Sequence, residues 1–122
     1  MPTLNLDTHI LVHALQGSLD DAERELLSEN DWGVAAIVLW ELAKLKQLGR
    51  IDVDLTDPEV DSALARVHVW PLDLAVARAS TQLDFRGAPA DEMIAATSIV
   101  HRVPLVTRDR QIRASKVVPL AT

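Results

Sequence analysis

No cysteine occurs in this 122-residue chain, which excludes disulfides and thiolate metal sites. Tyrosine is absent and phenylalanine occurs once. Trp32, Trp40 and Trp70 are read as core or dimer contacts, because nothing in their spacing sets up a stacking surface for bases. No apolar run approaches the ~18 residues of a transmembrane helix. The N-terminus lacks the basic region and following apolar region of a signal peptide, so a cytoplasmic location is expected. No internal repeat, low-complexity segment or linker interrupts the chain. His68 and His101 lack a partner spacing, which makes a zinc site improbable.

What remains is the composition of an ordinary globular domain, 48% hydrophobic and 25% charged, in a length that suits one domain spanning residues 1–122. The net charge of −6 is unevenly spread. Residues 1–85 hold 15 acids and 6 bases, whereas residues 86–122 hold 3 acids and 6 bases. An acidic whole argues against a passive nucleic-acid binder. It leaves room for an enzyme whose acids hold cations and whose bases meet phosphates. A solvated basic surface is the plain alternative for Arg86, Arg102, Arg108, Arg110, Arg113 and Lys116.

Short apolar strands alternate with helical patterns. Strands are expected at residues 3–6, at "VAA", within "VHVWPL", at "PLVT" and at "KVVPL". Helices are expected over 9–16, 19–29, 37–48 (closed by Gly49), 58–67 (Asp57 as N-cap and Pro58 at its first position), 73–84 and 91–101. "NDWG" reads as a turn, "RGAPA" as a loop, and "RDRQIRAS" as a loop or short helix. The alternation implies an α/β fold with a parallel sheet covered by helices on both faces.

In such sheets ligands bind beyond the carboxyl ends of the strands, near the topological switch point. Asp7 directly follows the first strand, and Asp109 follows "PLVT" by one residue. Glu41 lies one turn into the helix after "VAA". Ile37, Leu45 and Leu48 at i−4, i+4 and i+7 put it on an otherwise apolar face. Asp91 opens the helix that feeds "PLVT", and spacing alone does not place it at the same edge. For any single acid a buried salt bridge is the simpler reading. For several at one edge that reading needs several matching cations, and the first half of the chain has few.

Crowded carboxylates repel, and a divalent cation relieves the repulsion. Oxygen donors without a His or Cys cluster select Mg²⁺ or Mn²⁺. A cation of this kind held by carboxylates, with a water of lowered pKa, suits hydrolysis of a phosphodiester.

"LNLDTHILVHAL", "VAAIVLWELAKL" and "DFRGAPADEMIAATSIVHRVPLVTRD" together resemble the PIN-domain ribonucleases, and among them the VapC-type toxins of bacterial toxin–antitoxin pairs. The resemblance spans nearly the whole chain in order. It implies a single α/β/α sandwich around a parallel sheet of about five short strands. It also implies that Asp91 joins Asp7, Glu41 and Asp109 in one catalytic, metal-holding site. Further implications are Mg²⁺ or Mn²⁺ as cofactor, RNA (often tRNA or rRNA) as substrate, a homodimer, and inhibition by a small antitoxin through which DNA is bound indirectly. The chain departs from the family pattern at Ala35 and Val38, where serines are frequent. It departs again at Ala88, where an acid is frequent, and at Glu92, where a base is frequent.

Thr8 and Thr107 carry hydroxyls beside these acids, which either orient a ligand or cap the following helices. Arg86, Arg108 and Arg110 flank the acid-bearing segments and are the candidate RNA contacts. His9, near the strand edge, has two readings, a substrate contact and the preferred first-turn structural role, and His13 is read as partly buried. Two other functions compete. An aspartyl-phosphate enzyme of the haloacid-dehalogenase kind needs a second Asp where His9 stands. A receiver domain needs an acidic pair and a late Lys that are missing. A non-catalytic PIN-like partner-binding scaffold is disfavoured because all four acids are present.

Overall fold

The computed structural model describes residues 3–121. In chain order the elements are β1 (Thr3–Leu6), α1 (Thr8–Gln16), α2 (Asp21–Ser28), β2 (Asp31–Ala35), α3 (Ala36–Gln47), α4 (Pro58–Ala65), β3 (His68–Trp70), α5 (Leu74–Ser80), α6 (Pro89–His101), β4 (Leu105–Val106) and α7 (Arg110–Arg113). The strands form one parallel sheet in the order β3-β2-β1-β4. The chain builds outward from β1 to β3 and then returns to the other side of β1 with β4. The switch point therefore lies between β1 and β4.

The expected fifth strand is a correction. "KVVPL" contributes one parallel bridge, Leu105 to Leu120, fixed by Leu105 N–H donating to Pro119 O and Ala121 N–H donating to Leu105 O. The other side of this segment is held by loops: Ser115 Oγ and Lys116 N–H both donate to Asp84. "NDWG" is not a free turn. Asn30 Nδ2 closes α2 on Leu26 O, and Trp32 Nε1 donates to Leu27 O, so Asp31 already pairs as the first residue of β2. Helix α5 stops at Ser80 rather than 84, where the hydroxyls of Ser80 and Thr81 donate back to carbonyls three residues earlier. Helix α6 starts two residues before Asp91 because Pro89 suits the first helical turn.

Sequence patterning explains why helices cover both faces. Leu4, Asn5 and Leu6 on β1 are all buried, as are Val34 and Ala35 on β2. Helix α6 packs across β1 and β2, flanked by α3 and α5. Its residues Ile94, Ala95, Ala96, Thr97 and Ser98 are all buried, and the small Ala95, Ala96 and Ser98 bring the helix close to the sheet. Asn5 uses that closeness: its Nδ2 donates to Ile94 O (3.1 Å) and to Ser98 Oγ (2.9 Å). No described helix is long and apolar enough to cross a membrane.

Trp70 is core and Trp32 half-buried, but Trp40 stands 56% exposed on α3 with Lys44 Nζ 6.0 Å from its ring, so it is not a core residue. Trp70 lies over Gly33 and stacks on His101, with ring centroids 5.7 Å apart. A Cβ on Gly33 would fall 2.5 Å from the indole. Gly33→Ala is therefore expected to push the ring off β2 and cost about 1–3 kcal/mol, read as a lower urea midpoint with an unchanged slope.

Candidate functional site

Asp7 is placed by two local rules. It ends β1, and it is the N-cap of α1, where its Oδ1 accepts from Ile10 N–H at 2.8 Å. Thr107, just past β4, donates its hydroxyl to the other oxygen, Asp7 Oδ2. Asp7 N–H in turn donates to Val106 O, which extends the β1–β4 ladder to the site. Asp109 is built in a similar way three residues past the neighbouring strand β4. It caps α7 by accepting from Ile112 N–H at 3.0 Å, and its own N–H donates to Thr107 Oγ1 at 3.0 Å. Thr107 thus links both acids across the switch point.

Glu41 enters from α3, where Thr8 Oγ1 donates to its Oε1 at 2.5 Å. The reason given for its position needs correction. Leu48 is 62% exposed, and the buried stripe of α3 is Val38 and Leu42, so Glu41 lies half-buried at the margin of that stripe. Asp91 stands in the first turn of α6. No hydrogen bond from the described residues holds it. Helices α3 and α6 have Ala35 and Ala88 at their N-cap positions, with no side-chain cap, in keeping with the residues that depart from the family pattern there.

Electrostatics show that the four acids share one field. Burial pushes the Asp91 carboxyl above the usual carboxylate range, and the charges of Glu41, Asp109 and Asp7 push it further, with His9 opposing. Burial likewise raises Asp7. The hydrogen bonds from Thr107 and Ile10 and the charge of His9 hold it down, while Asp109 adds to the rise. Spacing along the chain does not place Asp91, and for His9 it leaves a substrate contact beside the preferred first-turn role. His9 is exposed and within electrostatic reach of both Asp7 and Asp91. The only sequence signal for it was its position two residues after Asp7.

Among the described residues, no three His, Asp or Glu side chains are already drawn to the spacing of a single ion. The donor chemistry nevertheless fits a hard divalent cation. All four acids offer oxygen alone, and each carboxylate keeps lone pairs beyond those its hydrogen bonds occupy. Thr8 and Thr107 both donate their hydroxyls to acids, to Glu41 and to Asp7.

The candidate arginines divide. Arg108 is clamped to Glu23 of α2, Nη2 to Oε1 at 2.5 Å and Nε to Oε2 at 2.7 Å, and its Nη1 lies 3.2 Å from His13 Nε2. This pairing holds the Glu23 carboxyl down at about 2. Arg86 and Arg110 are exposed and enter no ion pair among the described residues. Gln111 Nε2 donates to Arg86 O at 2.7 Å, which ties the loop before Asp91 to the helix that Asp109 caps.

A family model for the PIN domain matches residues 5–117. Ribonuclease VapC22 of Mycobacterium tuberculosis is 33% identical over 123 residues, covering 95% of this chain and 94% of that protein. Among solved structures, VapBC2 from Rickettsia felis, bound to a DNA fragment from its promoter, aligns at 21% identity. That match has a TM-score of 0.72 and covers 97% of this chain and 96% of the other. DNA-bound VapBC from Salmonella typhimurium aligns at 19% identity with a TM-score of 0.71, covering 98% and 97%. These two likenesses concern the fold.

Two measurements follow from the charges. Asp91 has a folded pKa above its unfolded one, so ionising it costs the folded state, and the cost grows as pH rises through that range. In EDTA, Asp91→Asn should gain stability over the parent as pH goes from 4 to 7, read as a growing difference in melting temperature. Glu23 has the opposite sign: its stabilisation is present above its ordinary pKa and is lost as pH falls toward 2. Glu23→Gln keeps the capping acceptor but not the charge. It should cost up to about 1 kcal/mol at pH 7, the upper end for a partly exposed pair, with most of that difference gone by pH 2, as followed by urea unfolding.

Proposed function

Because the chain belongs to the PIN domain family, we propose that it is a divalent-metal-dependent endoribonuclease, the toxin of a toxin–antitoxin pair. The observation that carries this reading is the shared field of Asp7, Glu41, Asp91 and Asp109 at the switch point. Mg²⁺ or Mn²⁺ would be held by these four acids. When bound, the cation supplies Lewis acidity toward a phosphodiester and a lowered pKa for water.

The chain's own residues do the rest. Thr107 holds Asp7 against rotation and sets Asp109 beside it, while Thr8 aims Glu41. Arg110 and Arg86 are available to RNA, with Arg110 next to Asp109 suited to a phosphate. Arg108, already committed to Glu23, keeps the segment after β4 in place instead. His9, exposed beside Asp7 and Asp91, presents an imidazole to the substrate.

The relative's ribonuclease activity and the toxin–antitoxin assemblies among the similar folds support the biological setting. In that setting the toxin is cytoplasmic and homodimeric, residues 1–122 act as one PIN domain, tRNA or rRNA is cut, and a cognate antitoxin covers the site and contacts promoter DNA. A non-catalytic scaffold is the second reading, and retention of all four acids disfavours it.

Purified protein should cleave RNA with Mg²⁺ or Mn²⁺ and not in excess EDTA. Asp7→Asn and Asp91→Asn should each reduce cleavage at least about 100-fold while keeping the far-UV circular dichroism spectrum. Full activity in EDTA, or undiminished activity in both variants, overturns the reading.

A further inference from the structure

A recess of about 420 Å³ opens beside the acid site, lined by Ser80, Thr81, Leu83, Phe85, Arg86 and Glu92. This volume lies within the ~300–1,000 Å³ of small-ligand sites. Two of its lining residues flank Asp91 in sequence: Arg86 in the loop before it and Glu92 directly after it. Glu92 follows Asp91 on α6, turned about 100° around the helix toward α5. The loop that carries Phe85 and Arg86 passes so close that a Cβ on Gly87 would lie 3.8 Å from Asp91 Cβ.

The lining has a definite hydrogen-bonding character. Leu83 and Phe85, both half-buried, give an apolar floor with the chain's single phenylalanine ring. The hydroxyls of Ser80 and Thr81 donate to backbone carbonyls, which leaves their oxygens as acceptors. Glu92 is half-buried and forms no ion pair among the described residues. The recess is thus rich in acceptors, with one cation, Arg86, at its exposed rim.

We infer that this recess is a nucleobase subsite that seats an unpaired guanine of the RNA next to the scissile phosphate. The inference rests on the ribonuclease reading above. Guanine alone among the four bases carries two adjacent N–H donors, N1–H and N2–H₂, that match both oxygens of one carboxylate. It also carries the O6 and N7 acceptors that a guanidinium reads. Glu92 takes the donor edge, Arg86 the acceptor edge, and the base lies on Phe85, as single-stranded RNA bases stack on aromatic rings. Adenine, with acceptors at N1 and N7, would face Glu92 with like partial charge.

The test is fluorescence anisotropy of end-labelled hexaribonucleotides, UUUGUU against UUUAUU and UUUUUU, with the parent protein in EDTA. The guanine hexamer should bind about tenfold more tightly than the others. Glu92→Gln should bring the three within about twofold. Phe85→Leu, chosen because Phe85 packs against the core, should weaken all three while keeping their order. Equal affinities for the parent, binding of none of the hexamers, or a guanine preference that survives Glu92→Gln overturns the subsite. Guanosine monophosphate binding as tightly as UUUGUU overturns the RNA assignment in favour of a free-nucleotide site. The same oligonucleotides incubated with Mg²⁺ report the ribonuclease reading separately, since cleavage without guanine preference sinks only the subsite. Guanine preference without cleavage sinks only the nuclease.

Discussion

Mutual repulsion among Asp7, Glu41, Asp91 and Asp109 is the constraint around which this fold is arranged. Two of the four are pushed upward by burial and by one another's charge, so the folded chain without a cation carries an electrostatic penalty at neutral pH. Functional sites commonly hold this kind of cost, and the surrounding structure must offset it. Here the offset is rigid backbone. A parallel sheet buried on both faces delivers two acids on adjacent strands, and helices anchored in the core deliver the other two.

The devices that hold the acids against one another are small and specific. Asp7 and Asp109 each cap the helix that follows them, so the backbone that positions the carboxylate is also stabilised by it. Thr107 bridges both, and Thr8 restrains Glu41. Asn5, two residues before Asp7, donates to α6 one turn past Asp91, so that strand and helix cannot shift independently. Outside this centre the Glu23–Arg108 clamp and the Gln111–Arg86 bond fasten the segments on either side of Asp109. Of the two arginines flanking Asp109, Arg108 is therefore already occupied.

Much of this was legible along the chain because local rules wrote it. Asp57 with Pro58, the alternation of short apolar runs with helical periods, and an acid at or just past the ends of two strands are readable one segment at a time. The errors fall where distant contacts overrule local pattern. "KVVPL" has the composition of a strand, but only Leu105 is within reach of it, so it makes one bridge. "NDWG" has turn composition, yet the Trp32–Leu27 bond and pairing with β1 extend it into a strand. Leu48 continues an apolar period past the point where α3 has anything to bury it against.

The sequence by itself determined the fold class and pointed to Asp7, Glu41 and Asp109 near one sheet edge as oxygen donors that suit a hard cation, because strand and helix periods and donor chemistry are local properties; Asp91 joined them only through the family resemblance. Only the tertiary structure decided that Asp91 lies in the field of the other three, that both threonines grip acids, that Arg108 is committed to Glu23, and that Glu92 faces a recess with Phe85. Those are meetings between residues up to a hundred positions apart. The sheet order and the packing of α6 set the distances between them, and no spacing along the chain encodes those distances.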